Sequence, residues 1–340
     1  MSRSQPSGPL TVEEADAVLA PFTEFSHVAL AVSGGGDSMA LLVLAAEWRD
    51  RQPDPPRLSV LSVDHRLRAE AADECRLVAE RARGLGLPAE ILEWGGDKPR
   101  TGLQSAARAA RRRLLATAAR RIGADAIALA HSRDDQAETI LMRLARGSGP
   151  RGLAGMAARS EIDGIALLRP LLDIGGARLR ASLAARSLDW IEDPSNGDDR
   201  FTRIRWRRLL PLLGELGLDA ARLADFAGRM GRLDVAVGES VDRLMTAHVG
   251  ADPDHPGGLR FEREVFASQP TEIRLRWLKH AIGRVGDGEA TDATDKELQR
   301  LDAALATPPA RRTLGGAVVS AGPRYVRVAR QPPRRTPTDD

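Results

Sequence analysis

Cysteine, lysine and long apolar runs are scarce in this chain, and each scarcity removes a class of function. A single Cys75 in 340 residues cannot form an intramolecular disulfide framework or supply a Cys-based zinc or iron–sulfur cage. No apolar stretch approaches the length of a membrane span. Met1 to Pro9 lacks an apolar export core, so a cytoplasmic protein without membrane contact is expected. Lysine occurs only at Lys98, Lys279 and Lys296, although Lys and Arg together number 50. The arginine excess goes with abundant Ala, Gly and Pro. It is compositional, and by its abundance alone says nothing about nucleic acid.

The chain is 42% hydrophobic and 29% charged, with a net charge of +3, which is ordinary for a folded globular protein. Its length suits about two domains. Charge placement is more telling than the total. Arg100 to Arg121 holds seven arginines and no acid, and Arg200 to Arg208 holds five more and no acid. The rest of the chain is therefore acidic. Two basic windows in an acidic chain suit either steering of a polyanion or two solvated helix faces.

Short apolar runs at His27–Val32, Arg57–Val63, Ala89–Trp94 and Ala124–Ala130 read as strands. Between and after them, Ser38–Trp48, Ala69–Leu85, Leu103–Arg121 and Asp134–Arg146 read as helices. This alternation predicts an α/β fold with a parallel sheet covered by helices on both faces. Ligands of such sheets bind at the carboxyl ends of the strands. Leu167–Leu172 reads as one more short strand, and Asp193–Gly197 as a turn. A helical stretch from Thr202 to Thr246, helices Pro270–Gly283 and Asp295–Ala306, and a hairpin of Arg312–Val318 with Arg324–Ala329 follow. The expected organisation is an α/β domain over 1–215, a smaller, mostly helical domain over 216–330 and a flexible tail over 331–340.

Ser33-Gly34-Gly35-Gly36-Asp37-Ser38 lies where the first strand ends and a helix begins. Consecutive glycines let backbone N–H groups approach a ligand closely, and the helix N-terminus adds positive charge. With the Ser33 and Ser38 hydroxyls this makes a phosphate nest. It is not a Walker A loop, because no lysine follows it. Asp37 would repel phosphate unless a divalent cation bridged them, which assigns it to Mg²⁺. The hexapeptide resembles the pyrophosphate loop of the N-type ATP pyrophosphatases. That superfamily splits ATP between its α and β phosphates and adenylates a substrate oxygen.

A second cluster, His131 to Thr139, follows the strand Ala124–Ala130 and so shares the same rim. Asp134 is placed to cap the helix. Asp135 and Glu138, at i and i+3, share one helix face; they suit a cationic substrate, a metal or plain solvent. His131 suits phosphate donation or proton movement, or a structural role.

Five stretches together resemble the tRNA(Ile)-lysidine synthases: Ser33–Ser38; Val63–Arg68; Gln104–Arg111, with Arg108 and Arg111 in the family pattern; His131–Met156; and Trp190–Asn196, continuing to Phe201 and Arg203. They cover the first two-thirds of the chain in family order. Arg66 departs from the commoner glycine of the pattern, and Ile204 and Trp206 interleave the last arginines differently. The resemblance implies a PP-loop ATPase domain of the adenine nucleotide alpha hydrolase type, with one or more small C-terminal domains. It implies ATP and Mg²⁺ as cofactors, and as partners free L-lysine and tRNA(Ile) bearing a CAU anticodon. A homodimer is among the assemblies it allows. The implied reaction adenylates C2–O of the wobble cytidine, after which the lysine amine displaces AMP. Carried over, Asp37 is the metal ligand, and His131, Asp135 and Glu138 form the substrate and lysine group. Arg111 and one of Arg203, Arg205 or Arg207, with Arg205 taken first, contact phosphate or adenylate. The rivals are a tRNA 2-thiolase, which needs more cysteines, GMP or asparagine synthetases, which need a glutaminase, and a non-catalytic ATP-dependent tRNA-binding module.

Overall fold

The structure, a computed structural model, describes residues 8–68, 70–99, 101–192, 202–286 and 293–332. The expected turn Asp193–Gly197, Arg200, Phe201, the residues before Gly8 and the tail beyond Pro332 lie outside the described residues. The chain divides into two compact units. One runs to residue 229 apart from 149–151, and the other holds 149–151 and continues from 230.

The first unit is built on six strands: β1 (His27–Ala31), β2 (Arg57–Asp64), β3 (Ala89–Glu93), β4 (Ala126–Leu129), β5 (Arg159–Ile162) and β6 (Ile165–Leu168). They lie in the order β3-β2-β1-β4-β6-β5. All pairs are parallel except β5–β6. The four apolar runs of the sequence are β1 to β4, and the expected short strand is β6, which starts earlier, at Ile165. The antiparallel edge strand β5 is an addition. Its signal is local: Asp163 and Gly164 take φ of 49° and 82°, the two-residue turn that an Asp-Gly pair favours.

Around this sheet lie α1 (Val12–Leu19), α2 (Gly36–Arg51), α3 (Ala71–Gly84), α4 (Leu103–Ile122), α5 (Arg133–Ala145), the short α6 (Pro150–Leu153) and α7 (Gly176–Ala184). Because helices cover both faces, β1 is buried along its whole length. From Met39 to Ala46 α2 is apolar all round, and Met39, Leu41, Leu42, Leu44 and Trp48 are all fully buried. It packs with α1, α7 and one face of the sheet in a single core. On the other face, Leu115, Ala116 and Ala119 of α4 meet Ala29, Ala31 and Ile127. Two further helices, α8 (Thr202–Glu215) and α9 (Ala220–His248), replace the single helical stretch read from the sequence. The break falls at Gly217, whose φ of 86° is costly for other residues. Residue 215, the expected boundary, ends α8; the two units part at 229/230, inside α9.

The second unit joins α10 (Arg263–Ala267), α11 (Thr271–Val285) and α12 (Asp295–Leu305) to a five-stranded antiparallel sheet. Its strands are β7 (Gly250–Ala251), β8 (Leu259–Glu262), β9 (Ala310–Leu314), β10 (Ala317–Ala321) and β11 (Tyr325–Arg330). The expected strand Arg312–Val318 is thus two strands, because Gly315 and Gly316 turn the chain with φ of 55° and 72°. One face of the sheet buries Phe261, Val319, Val326 and Val328 against Trp277 and Leu301.

Arg66 accounts for one departure from the family pattern. Its φ is 50°, a left-handed conformation that glycine adopts freely and arginine does not. Its N–H donates to Asp64 Oδ1 at 2.7 Å, and its exposed side chain pairs with Glu93. Exposed pairs contribute little, so Arg66→Gly is expected to raise stability by about 1 kcal/mol. The check is the denaturant midpoint; a lower midpoint for the variant would contradict the strain.

Candidate active site

The site starts from the β1–α2 junction. Gly35 is the N-cap of α2, so the first amides of the helix have no carbonyl partners within it and face the carboxyl rim. Gly34 has φ of 89°, and a Cβ there would lie 2.5 Å from Ile191 Cδ1. The carbonyl of Gly34 accepts from Ile191 N–H at 3.0 Å, tying the loop to residues 190–192. Ser38 braces the loop: its hydroxyl donates to Gly35 O at 2.9 Å and accepts from Ser33 N–H at 3.1 Å. Of the two expected hydroxyl donors, Ser38 is therefore committed internally.

α5 begins after β4 at the same rim. Its N-cap is Ser132, which forms a capping box with Asp135. Asp134 has a different task from the expected cap: its Oδ2 accepts from Gly176 N–H at 3.0 Å and so holds the start of α7. Glu138 is 0% exposed. Arg203 Nε lies 2.5 Å from its Oε2 and Arg207 Nε 2.6 Å from its Oε1. Arg203 also reaches Asp135 Oδ1 at 2.8 Å. A buried carboxylate requires such partners, and these two bind α8 to α5. On α8 Arg203 and Arg207 are one turn apart on one face, whereas Arg205 faces the opposite way. Arg205 is exposed and, among the described residues, reaches Thr202 Oγ1 at 3.3 Å.

A cavity of about 820 Å³ brings together Ser33, Gly35, Gly36, Asp37, Ser38, Arg111, His131, Asp135, Arg203 and Arg207. Gly34 supports it from behind. Glu138 stays under its wall and Arg205 outside it. Arg180, Trp190 and Glu192 also line it, without a role read from the sequence. Trp190 and Glu192 lie in a family-matching stretch, which was the available signal; Arg180 had none. A second, more apolar cavity of about 640 Å³ lies beside it, between the ends of β1 and β2 and the helices α3 and α4. Ala31, Ser33 and Arg111 belong to both.

Burial pushes the Asp37 carboxyl above its usual range, and Asp135 and Asp134 add to this against Ser132 and Arg180. Its Oδ1 is buried without a hydrogen bond, with Arg180 Nη1 3.9 Å away. An orphaned hard oxygen beside a phosphate nest fits Mg²⁺, which commonly takes one or two carboxylates and completes its shell with phosphates and water. Among the described residues no group of three or more His, Cys, Asp or Glu could form a protein-only metal cage. Burial also lowers the Arg111 guanidinium, helped by Arg108. His131 drops to about 4, chiefly by burial, with Arg169, Arg111 and Arg203 pressing the same way against Asp135. Its imidazole is therefore neutral at pH 7.

Two expectations follow. Gly34→Ala meets both a left-handed φ and a fixed side chain, and should cost about 1–3 kcal/mol; Gly35→Ala has nothing within 4 Å of its Cβ and should cost far less. Denaturant titrations of the pair test this, equal losses refuting it. Unfolded, His131 binds a proton near its ordinary 6.5, and folded near 4. Between these values the unfolded chain holds the extra proton, so this stability falls with falling pH, at up to about 1.4 kcal/mol per unit. From pH 7 to pH 5 the parent should lose more stability than His131→Asn; equal losses would exclude the assignment.

The PP-loop domain family matches residues 10–213. A tRNA(Ile)-lysidine synthase of Bradyrhizobium sp. is 43% identical, the match covering 96% of this chain and 96% of that protein. A tRNA(Ile)-lysidine synthase of Rhodopseudomonas palustris is 44% identical, again over 96% of each. Among solved structures, a U34-tRNA thiolase from Methanococcus maripaludis is similar in fold, with a TM-score of 0.56 and 18% identity over 64% of this chain and 77% of that one. The chain belongs to the tRNA(Ile)-lysidine synthase family and its first unit to the ATP-using PP-loop domains.

Proposed function

We propose that this chain joins free L-lysine to C2 of the wobble cytidine in the CAU anticodon of tRNA(Ile), consuming ATP and releasing AMP and pyrophosphate. One observation carries the reading: a single cavity, in a member of this family, combines a phosphate nest, an orphaned Asp37 oxygen and a carboxylate–arginine cluster. The apolar second cavity takes the adenosine, with the triphosphate crossing Ser33 into the nest. Mg²⁺ held by Asp37 would neutralise charge on the phosphates. The nest amides stabilise the departing pyrophosphate, with Arg111 beside the α-phosphate where the two cavities meet. The cytidine O2 attacks the α-phosphorus and pyrophosphate leaves. The lysine amine then forms the C2–N bond, loses a proton, and AMP departs with O2. Neutral His131 can accept a hydrogen bond there without adding a cation beside the arginines. In this reading the catalytic domain, expected over 1–215, runs on into α9 as far as residue 229, and the smaller domain follows it. The substrates place the reaction in the cytoplasm.

Asp135 and Glu138 hold the cationic end of lysine in this reading, although Arg203 and Arg207 occupy them in the free protein. The incoming ammonium replaces a guanidinium, which exchanges one charge-assisted pair for another. The thiolase rival is disfavoured by Cys75. It is buried, accepts a hydrogen bond from Ser62 at 3.3 Å, and has its thiol pushed up by burial, the reverse of an activated nucleophile.

Incubation with ATP, Mg²⁺, lysine and a CAU-bearing tRNA(Ile) transcript should yield AMP, pyrophosphate and a lysine-dependent mass gain on that cytidine. ADP with phosphate, or equal use of elongator methionine tRNA, would refute the assignment. Glu138→Ala should raise the KM for lysine at least tenfold more than the KM for ATP. Equal changes in both would leave Glu138 only its role in holding the arginines.

A further inference from the structure

Five of the six arginines of α4 fall into two groups, with Arg113 in neither. At the end of the helix away from the cavities, Arg120 pairs with Asp163 at 3.2 Å and Arg121 with Glu90. Toward the rim, Arg108, Arg111 and Arg112 lie at i, i+3 and i+4 on one face; among the described residues none makes an ion pair within 4 Å, and Asp135 is the carboxylate that draws on Arg108 and Arg111. Like charges one turn apart weaken a helix, so this stripe costs stability in the free protein. Arg169, just after β6, adds a fourth cation to the same place. Its Nη1 donates to Ala157 O at 2.7 Å and Ser160 Oγ at 3.0 Å. Its Nε is buried without a partner. Arg108 and Arg112 both act on Arg169, and Arg108 acts on Arg111, each lowering the neighbour's hold on its proton. α4 packs on β6, with Leu115, Ala116 and Leu167 in one apolar cluster, so Arg169, just beyond that strand, and the rim arginines of α4 share one neighbourhood. The nearby carboxylates Asp135 and Glu138 are already engaged by Arg203 and Arg207.

We infer that Arg108, Arg112 and Arg169 form a phosphodiester-binding patch that seats the RNA backbone beside the reaction cavity. A polyanion fits best, because Asp135 is shared with Arg203 and added negative charge would relieve the remaining repulsion. Arg111 is given to the nucleotide, because it lines both cavities, whereas Arg108, Arg112 and Arg169 line neither. Arginine suits this task, its planar fork matching phosphate oxygens in pairs. Backbone contacts of this kind fix register without reading sequence, which here would hold a base over the nest. The inference rests on the RNA substrate proposed above.

The test is equilibrium binding of a fluorescently labelled tRNA(Ile) transcript to the full chain, across a salt series, with ATP binding measured separately in the absence of RNA. The variants are Arg112→Glu, which changes an exposed side chain, Arg169→Gln, and Arg120→Glu as a control with the same charge change on the same helix. Arg112→Glu should weaken RNA binding about tenfold at 0.15 M salt and flatten the dependence of log affinity on log salt by about one unit. Arg169→Gln should act in the same direction. Both should leave ATP affinity within about twofold, and Arg120→Glu should leave RNA affinity within about twofold. Parent-like RNA binding by Arg112→Glu and Arg169→Gln would overturn the patch while leaving the proposed reaction standing. So would an equal loss for Arg120→Glu, or a parallel loss of ATP affinity. A parent protein with no affinity for the transcript would overturn both readings.

Discussion

Burial of α2 is the constraint on which the rest of the site depends. A helix that is apolar on all sides from Met39 to Ala46 has one stable place, between the sheet and the helices α1 and α7. Fixing it there fixes its N-terminus at the carboxyl end of β1, itself buried throughout. The nest amides are thus held by packing rather than by loop conformation alone, with Gly34 and Ile191 in van der Waals contact behind them. Preorganised donors of this kind cost no rearrangement when charge arrives. Asp37, on the first turn of the same helix, inherits that rigidity and with it the partial desolvation that leaves an oxygen unpartnered.

Electrostatic balance at the rim sets the second level of organisation. Glu138 is wholly buried and is tolerable only because Arg203 and Arg207 meet both its oxygens. That pairing docks α8 on α5, seals the apolar seam around Ile140, Leu141, Leu223 and Ala227, and brings two guanidiniums to the cavity. Removing the carboxylate would leave two cations facing each other, so the stability of this wall of the cavity depends on the pairing. The surrounding arginines exceed the available acids, and this surplus is what a polyanionic substrate would neutralise. His131 remains neutral chiefly because it is buried, with Arg169, Arg111 and Arg203 pressing the same way.

Much of the first unit was legible in order and type. β1 to β4 and the helices α2 to α5 follow from period and apolar content, because a two-sided parallel sheet imposes uninterrupted apolar runs. The hairpin β5–β6 was read only in part, as the short strand Leu167–Leu172; β5 was missed, because short strands carry little periodic signal. The second unit was less so. Its sheet is made of strands of two to six residues, and the division of Arg312–Val318 rests on two glycines whose positive φ no pattern of apolar residues reveals. Arg66 shows the same limit from the other side, since a left-handed backbone is invisible until the chain is folded.

By itself, then, the sequence determined the family, and it located the stretches that line the candidate site: the glycine loop with Asp37, and the helix start that carries Asp135 and Glu138. These lie in contiguous stretches whose chemistry depends on near neighbours in the chain. Only the tertiary structure decided which arginines matter. Arg203 and Arg207 were separated from Arg205 by helix phase, Arg108 and Arg112 from Arg120 and Arg121 by position along α4. Arg180 and Arg169 were recruited from outside both basic windows. Charge is counted along a sequence but acts through space, and the distance between two guanidiniums is set by packing that no local spacing records.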